Sequence, residues 1–256
     1  MNLSKEMIRY YEKQGVIEPD RNSSNNYRTY NIQSIFWLLE ARQFKNLGIN
    51  ISDIPLLRTD GYISKTTDYL DELLVDLKSE LDYKNLLFKR ISQLKERFSL
   101  AETNQGNHWV KLIPAYYTTR FVNRESQEFH EPAMSEDISN TLFSDKINPF
   151  LDCVLRIHAD GLSWDICIEE AYANALQIPI DNNYKLISSS YALCTNVDIG
   201  DSDDLLLQDI FAFADYCKKS PYRLVPSAPI TASLICRGIS KGHMQRIFEM
   251  RCPIII

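Results

Sequence analysis

The sequence predicts a multi-domain protein with an all-α winged-helix N-terminal part, one long coiled-coil helix and a C-terminal α+β domain. Helical spacing of apolar residues dominates up to about residue 60, and heptad spacing then runs over residues 63–98. Runs rich in β-branched and aromatic residues follow residue 107. We therefore expect domains at residues 1–60, 61–101 and 107–256, divided by the Gly- and amide-rich stretch 103–107.

The composition predicts a globular protein, since 45% of the 256 residues are hydrophobic and 24% are charged. The net charge of −6 is uneven: residues 1–60 carry 8 Lys and Arg against 7 Asp and Glu, whereas residues 102–256 carry 13 against 20. The acidic C-terminal half is thus an unfavourable polyanion binder and a suitable host for cations. No membrane-spanning run or secretory signal is found, which predicts a cytoplasmic protein.

Cysteine and histidine spacing argues against a metal centre and against catalysis. All six cysteines lie beyond residue 150 and none forms a CxxC pair, which favours buried free thiols in a reducing compartment. The four histidines form no spaced pair, and no Ser/His/Asp order stands out. We expect no enzyme activity, no cofactor and no bound metal.

A long helix with alternating spacings of four and three is predicted between residues 63 and 98. The positions on this row are Ile63, Thr67, Leu70, Leu74, Leu77, Leu81, Lys84, Phe88 and Ile91. A core helix of a single chain would explain the apolar row, but a strict heptad over four repeats favours a coiled coil. Because no second heptad run exists in the chain, the expected partner is a second copy, in parallel or antiparallel orientation.

The N-terminal segment predicts a helix followed by a hairpin. Ser4 can cap the helix, and Gly15 can end it. The side chains that face away from the packed side are Arg9, Tyr10 and Lys13. Turn-forming residues 20–26 predict a hairpin tip, and the return strand carries Arg28 and Tyr30. A displayed basic and aromatic helix beside a hairpin is suited to a DNA groove lined with phosphates.

Three motifs in this segment resemble the MerR family of winged-helix regulators. Residues 8–12 read IRYYE, residues 26–30 read NYRTY, and residues 47–54 read LGINISDI. The resemblance covers roughly residues 4–58, and the combination at these spacings is highly specific.

The resemblance implies promoter DNA as a partner, RNA polymerase at that promoter, and a homodimer through an antiparallel coiled coil. Together with the displayed side chains, it predicts a DNA-binding set of Arg9, Tyr10, Lys13, Arg21, Tyr27, Arg28 and Tyr30. Family members carry a further helix of about three turns before the recognition helix. Here Ser4 already begins the second helix, so the phosphate contacts of the first helix are lost and we expect weaker DNA binding. A late start codon, a truncation or a degenerate regulator would each explain the missing helix.

The C-terminal half predicts the order strand, helix, strand, strand, twice over. We expect one strand over residues 109–122, a helix over 135–154 capped by Ser135, two strands about the Asp160–Gly161 turn, and one strand over 184–197. A second helix lies within residues 202–220. Two further strands close the chain. This order, with an E-X-X-X-P ending, resembles the GyrI-like effector domain found behind some MerR domains.

That resemblance implies an aromatic pocket in which Glu249 meets a cationic or amphipathic organic ligand. A buried carboxylate among rings would favour a cation through charge and cation–π attraction. The predicted walls are Tyr116, Tyr117, Trp164, Tyr191 and Phe248. The alternatives are a solvent-facing Glu249 and ordinary core aromatics. Metal-sensing members place cysteines after the coiled coil, and residues 82–106 contain none.

The sequence therefore predicts a transcriptional regulator that senses a small organic molecule. A ligand-binding or sequestering protein that has lost DNA binding is the second interpretation, and a small-molecule hydrolase is the third. Neither the effector, the operator nor the sign of regulation follows from these residues.

Overall fold

A computed structural model describes residues 4–101, 103–124, 136–158, 161–201, 203–226, 228–240 and 242–256. The chain forms two compact units, Met1–Asp82 and Tyr83–Ile256. Their boundary falls inside the predicted long helix. The predicted cap Ser135 and turn residue Asp160 lie outside the described residues. Among the described helices, none combines the length and hydrophobicity that a membrane span requires.

The N-terminal unit consists of short helices and a two-stranded hairpin. Its elements are α1 (Lys5–Lys13), β1 (Asp20–Arg21), β2 (Arg28–Thr29), α2 (Ile32–Asn46), α3 (Ile54–Leu57) and the first half of α4 (Tyr62–Ala101). The predicted cap is confirmed, since the Ser4 hydroxyl accepts the Met7 N–H at 3.2 Å. Gly15 follows α1 with a φ of +73°, a conformation that favours glycine and turns Val16 and Ile17 into the core.

One apolar core holds this unit together. Its buried members are Tyr11, Val16, Ile17, Leu38, Ala41, Ile49, Ile51, Ile54 and Leu57, and α4 adds Tyr69, Leu70 and Leu73. Arg58 ties the elements further, because its guanidinium donates to the Val16 carbonyl at 2.9 Å and stacks on the Trp37 ring at 4.0 Å. The first half of α4 is thus part of the N-terminal fold.

Helix α4 confirms the predicted long helix and leaves most of its apolar row uncovered. Side chains on that row are between 59% and 75% exposed at Ile63, Leu74, Leu77, Leu81, Phe88 and Ile91. Leu70 is the exception, because it packs against the N-terminal core. A core helix covered by its own chain therefore does not account for these six residues.

The C-terminal unit is rich in β-strands. Its elements after α4 are β3 (His108–Ile113), β4 (Tyr116–Arg124), α5 (Glu136–Leu142), a 3-10 turn (Asn148–Phe150), β5 (Leu151–His158), β6 (Gly161–Glu169), α6 (Glu170–Ala175), β7 (Lys185–Ile187), β8 (Ser190–Asp198), α7 (Asp203–Lys219), β9 (Arg223–Leu224), β10 (Thr231–Ser240) and β11 (His243–Ile255). The predicted second helix corresponds to α7, whose face of Leu206, Ile210, Phe213 and Cys217 is buried.

The strands form one antiparallel sheet in the order β3-β8-β11-β10-β5-β6-β4-β7, with β9 on β11. The order strand, helix, strand, strand appears in β4-α5-β5-β6. The elements β8, α7, β10 and β11 follow one another similarly, but the two-residue strand β9 lies between α7 and β10. Strand β10 pairs with β5 between the two sets. Strand β3 precedes the first set but pairs with β8 of the second. Strand β7 precedes the second set but pairs with β4 of the first.

Three predicted elements are wrong in extent. The strand expected over residues 109–122 is two strands, and that expected over 184–197 is also two, because the halves of each pair with different neighbours. Pro114, which lacks a backbone donor, lies at the first break. The helix expected over 135–154 ends at Leu142, and Asn148–Phe150 forms a separate 3-10 turn.

Candidate functional site

The predicted DNA-facing residues lie on α1 and on the β1–β2 hairpin. Arg9, Tyr10 and Lys13 are exposed on α1, and Arg21 pairs with Arg28 in the register of the hairpin. Tyr27 follows the tip and is 73% exposed. Four cationic side chains therefore occur on two neighbouring elements, the type of surface that phosphate oxygens attract.

Glu12 joins the hairpin to the helix. The Tyr30 hydroxyl donates to Glu12 Oε1, and Arg28 Nε lies 3.3 Å from Glu12 Oε2. Burial raises the pKa of the Tyr30 hydroxyl, and the hydrogen bond to Glu12 and the charge of Glu12 raise it further. Tyr30 is thus engaged within the chain rather than displayed as a phosphate donor, which corrects the expectation for its hydroxyl. The side chain of Arg28 remains 45% exposed.

A cavity of about 500 Å³ lies within the C-terminal unit. One side is formed by the second half of α4 through Arg90, Gln93, Arg97 and Leu100. The sheet contributes Lys111 from β3, Asp152 from β5, and Glu249 and Arg251 from β11. Residues 249 and 251 face the same side because side chains alternate along a strand.

Glu249 lies in this cavity and is only 4% exposed, so the solvent-facing alternative is wrong. Its Oε1 is 2.5 Å from Arg251 Nε, and its Oε2 is 2.6 Å from Lys111 Nζ. Burial favours a raised pKa, but Arg251 and Lys111 outweigh it and lower the pKa of Glu249 to about 2. The carboxylate is therefore already paired, which corrects the expectation of an unpaired anion awaiting a cation.

Asp152 forms a second ionic cluster with α4. Arg90 makes a bidentate pair with its two carboxylate oxygens, and Arg97 Nη1 reaches Oδ1 at 2.9 Å. Burial opposes ionisation, but the charges of Arg97 and Arg90 outweigh it and lower the pKa of Asp152 to about 2. Arg90 also donates to the carbonyls of Pro149 and Leu151. This cluster anchors the second half of α4 to β5.

The predicted aromatic walls are only partly brought together. Tyr116 lines the cavity, and Trp109 does so without having been predicted. Trp164 and Phe248 instead pack with ring centroids 6.2 Å apart in the apolar core. Tyr117 packs against the other core cluster, and Tyr191 is exposed at the sheet surface.

Strand alternation explains the error at two of these four positions. Tyr117 follows the cavity-facing Tyr116, and Phe248 precedes the cavity-facing Glu249, so each points to the opposite face. The sequence also missed the cationic members of the site, which are Arg90, Arg97, Lys111 and Arg251. Arg90 and Arg97 lie seven residues apart on α4, a helical spacing that could have indicated a basic face.

The two ionic clusters predict an acid-dependent stability of this unit. Glu249 and Asp152 have lowered pKa values, so their stabilisation is present above their ordinary values of 4.5 and 3.8 and is lost as pH falls towards about 2. Each group should contribute on the order of 2–3 kcal/mol at neutral pH. We expect thermal melts to be level from pH 7 to about 5 and to fall steeply below about 4.5.

Glu249→Gln is the matched variant for that measurement. The variant should melt at a lower temperature than the parent, and this difference should be largest at pH 7. It should shrink at about pH 2, where the carboxyl of the parent becomes protonated. A deficit that does not change with pH would contradict the role given to the Glu249 charge.

Within the described part of the chain, no group of three or more His, Cys, Asp or Glu side chains is arranged to hold a metal ion. The described cysteines are free thiols, and Cys167, Cys194, Cys217 and Cys252 are buried.

Comparison with known proteins identifies similarity in the N-terminal part. Residues 1–30 match the family described as MerR family regulatory protein. The chain is 42% identical over 52 residues to the HTH-type transcriptional regulator ZntR homolog of Haemophilus influenzae, an alignment that covers 20% of this chain and 38% of that protein. It is 37% identical over 51 residues to the HTH-type transcriptional regulator CueR of Escherichia coli, with the same two coverages.

The chain thus spans just over a third of the length of the curated relatives it matches, 38% in both cases. Among solved structures, the cryo-EM structure of an EcmrR–DNA complex aligns with 98% of this chain and 95% of its own chain. That alignment has 16% sequence identity and a TM-score of 0.36.

Proposed function

We propose that this chain, which belongs to the MerR family of regulatory proteins, is a ligand-responsive DNA-binding transcription regulator. Helix α1 would enter the major groove with Arg9, Tyr10 and Lys13, and the hairpin would reach the backbone through Arg21 and Arg28. The Glu12 pairs with Tyr30 and Arg28 support this role, because they hold the hairpin against the helix. A fixed angle between two DNA-contacting elements favours one docking geometry.

The proposed response to a ligand is supported by α4, which is one continuous helix. Its first half contributes Leu70 and Leu73 to the core of the N-terminal unit, and its second half contributes Arg90 and Arg97 to the cavity. A ligand that alters how these arginines bind Asp152 would change the free energy of one helix shared by both units. The cavity is therefore the proposed effector pocket, and α4 is the element that its occupant would bias.

The exposed apolar row of α4 supports a homodimer. Six large apolar side chains at heptad spacing are uncovered on the isolated chain, and a second copy of the same helix would match their spacing. We propose an antiparallel coiled coil through residues 63–98, by resemblance to the family. A dimer would present two DNA-binding units to a pseudo-palindromic promoter, where ligand binding untwists the spacer for RNA polymerase.

The DNA contact is tested by Arg28→Ala and Tyr10→Ala. Arg28→Ala should weaken binding to all sequences and reduce the salt dependence by about one phosphate contact. Tyr10→Ala should also change the sequence preference. Arg21→Ala serves as a second phosphate variant because Arg21 bonds Asn26 within the hairpin and leaves the Glu12 pairs intact. Fluorescence anisotropy over a salt series measures all three.

Lys218→Ala is the control for these variants, because Lys218 lies in an exposed ion pair of α7. It should bind promoter DNA like the parent. Parent-like binding by all of Arg28→Ala, Arg21→Ala and Tyr10→Ala would exclude the helix and hairpin as the DNA contact.

A gel shift on the DNA upstream of its own gene tests the function as a whole. The chain and a version extended upstream should be compared with and without a bound effector. Binding by either version supports the regulator. If neither binds while a ligand still occupies the cavity, the protein is a small-molecule binding or sequestering protein.

A further inference from the structure

We infer that the effector is a small organic anion with an apolar body, bound by the basic groups of the cavity. This inference rests on the proposed function of that cavity as the effector pocket. It reverses the cation preference expected from the sequence. The reason is that the carboxylates of the cavity already accept hydrogen bonds, whereas several N–H donors of its basic side chains are unused.

The acidic groups on the sheet side of the cavity already have both carboxylate oxygens in ion pairs. Glu249 accepts from Arg251 on one oxygen and from Lys111 on the other. Asp152 accepts from Arg90 and Arg97 on one oxygen and from Arg90 on the other. A cationic ligand would compete with ammonium and guanidinium groups that these carboxylates already hold, and displacing one of them leaves a basic group without its partner.

The basic side chains, by contrast, have N–H donors that form no hydrogen bond. Arg251 binds Glu249 through Nε, and within the described residues its two terminal nitrogens form no hydrogen bond. Nε of Arg97 is buried and likewise finds no partner there. Lys111 uses one of three N–H groups on Glu249. The four cations of the two ionic clusters share the carboxylates of Asp152 and Glu249, and some of their N–H donors stay unused. Glu96 and Glu169 bring the cavity lining to four basic and four acidic side chains.

These donors occupy one region of the cavity. Arg97 donates to the Ser233 hydroxyl at 3.1 Å, and Ser233 is the cross-strand partner of Glu249. The guanidinium of Arg97 therefore lies beside the Glu249 cluster as well as the Asp152 cluster. Two further carboxylates line the cavity: Glu169 lies 3.5 Å from the Gln93 amide, and Glu96 is on the exposed side of α4.

The rest of the lining favours an apolar ligand body. Trp109, Tyr116, Leu100 and Ile235 contribute ring faces and aliphatic surface. A cavity of about 500 Å³ is within the range that takes drug-sized organic molecules. An aromatic or branched carboxylate or sulfonate satisfies both the apolar walls and the unused donors.

Three naphthalene probes of similar shape test the charge preference. We would titrate 2-naphthoate, 2-naphthylmethylammonium and 2-naphthylmethanol into the full chain by calorimetry. Naphthoate should bind roughly ten- to a hundred-fold more tightly than the other two, since it alone gains charge-assisted hydrogen bonds. Tighter binding of the ammonium probe, equal binding of all three, or no binding at millimolar concentration would overturn the inference.

Glu249→Gln separates anion from cation binding by the sign of its effect. The amide keeps the shape and releases Lys111 and Arg251 from the carboxylate, so naphthoate affinity should rise several-fold. A cation site would instead lose affinity with this change. Weaker naphthoate binding by a folded Glu249→Gln variant would therefore contradict the anion site.

Arg97→Gln provides an independent variant, because Arg90 still pairs with Asp152 in its absence. Naphthoate affinity should fall about ten-fold, whereas naphthylmethanol affinity should stay within about two-fold. Parent-like naphthoate binding would remove Arg97 from the site and overturn the inference. Promoter binding is measured separately on the same samples. Lost promoter binding with naphthoate selectivity intact would reject the regulator and leave the anion site standing.

Discussion

Asp152→Ala is expected to lower the free energy of unfolding of the C-terminal unit by about 3–5 kcal/mol, because it leaves two guanidinium groups without their counter-ion. Arg90 is 4% exposed and cannot recover its hydration by moving into solvent without leaving the carbonyls of Pro149 and Leu151. Arg97 keeps only its bond to Ser233. The anchor between α4 and β5 is therefore lost together with the charge.

The measurement is urea unfolding followed by circular dichroism and tryptophan fluorescence. Asp215→Ala is the matched control, because it removes the same side chain from an exposed pair with Lys218. That change should cost less than about 1 kcal/mol. A loss for Asp152→Ala no larger than the loss for Asp215→Ala would contradict the anchoring role of the Asp152 cluster.

Leu77→Glu or Leu81→Glu should convert the proposed homodimer into a monomer, or unfold the chain where the monomer is not stable. Each residue is 59% exposed on the isolated chain, so the single copy tolerates a carboxylate there. In the proposed coiled coil the same carboxylate would be buried without a partner, at a cost of several kcal/mol. Size-exclusion chromatography with light scattering at micromolar concentration measures the mass directly.

Ser79→Glu is the control for this pair of variants, since it adds the same charge two residues from Leu77, on another face of α4. It should leave the mass at that of a dimer. A parent protein that is already monomeric under these conditions would reject the homodimer, as would a dimer that survives both leucine substitutions.

Local sequence signals were sufficient for α1 and α4. Ser4 at the start of α1, Gly15 at its end and the heptad row of α4 each act through backbone geometry or helical spacing within a few residues. Apart from the helix that ends at Leu142, the elements placed wrongly are strands whose extent depends on distant strands. Strands β3 and β4 are separate because one pairs with β8 and the other with β6.

The proposed effector pocket was only half predictable for the same reason. Burial of Glu249 was one of two alternatives left by the sequence, and the structure supports it. Its partners Lys111 and Arg251 were not predicted, although Arg251 is two residues away, because only sheet pairing brings Lys111 beside it. The cation preference expected from the sequence considered the carboxylate without these neighbours, and the proposed anion preference differs from it for that reason.

By itself, the sequence determined the resemblance to the MerR family, the display of Arg9 and Tyr10 on α1, and the long helix with its apolar row. These features depend on residue types at short, regular spacings within a single helix or motif, so no contact with a distant part of the chain is needed to predict them. Only the tertiary structure decided that Glu12 holds Tyr30, that α4 carries Arg90 and Arg97 to Asp152, and that Glu249 is neutralised. The physical reason is that a buried charge takes its properties from side chains up to 138 positions away along the chain.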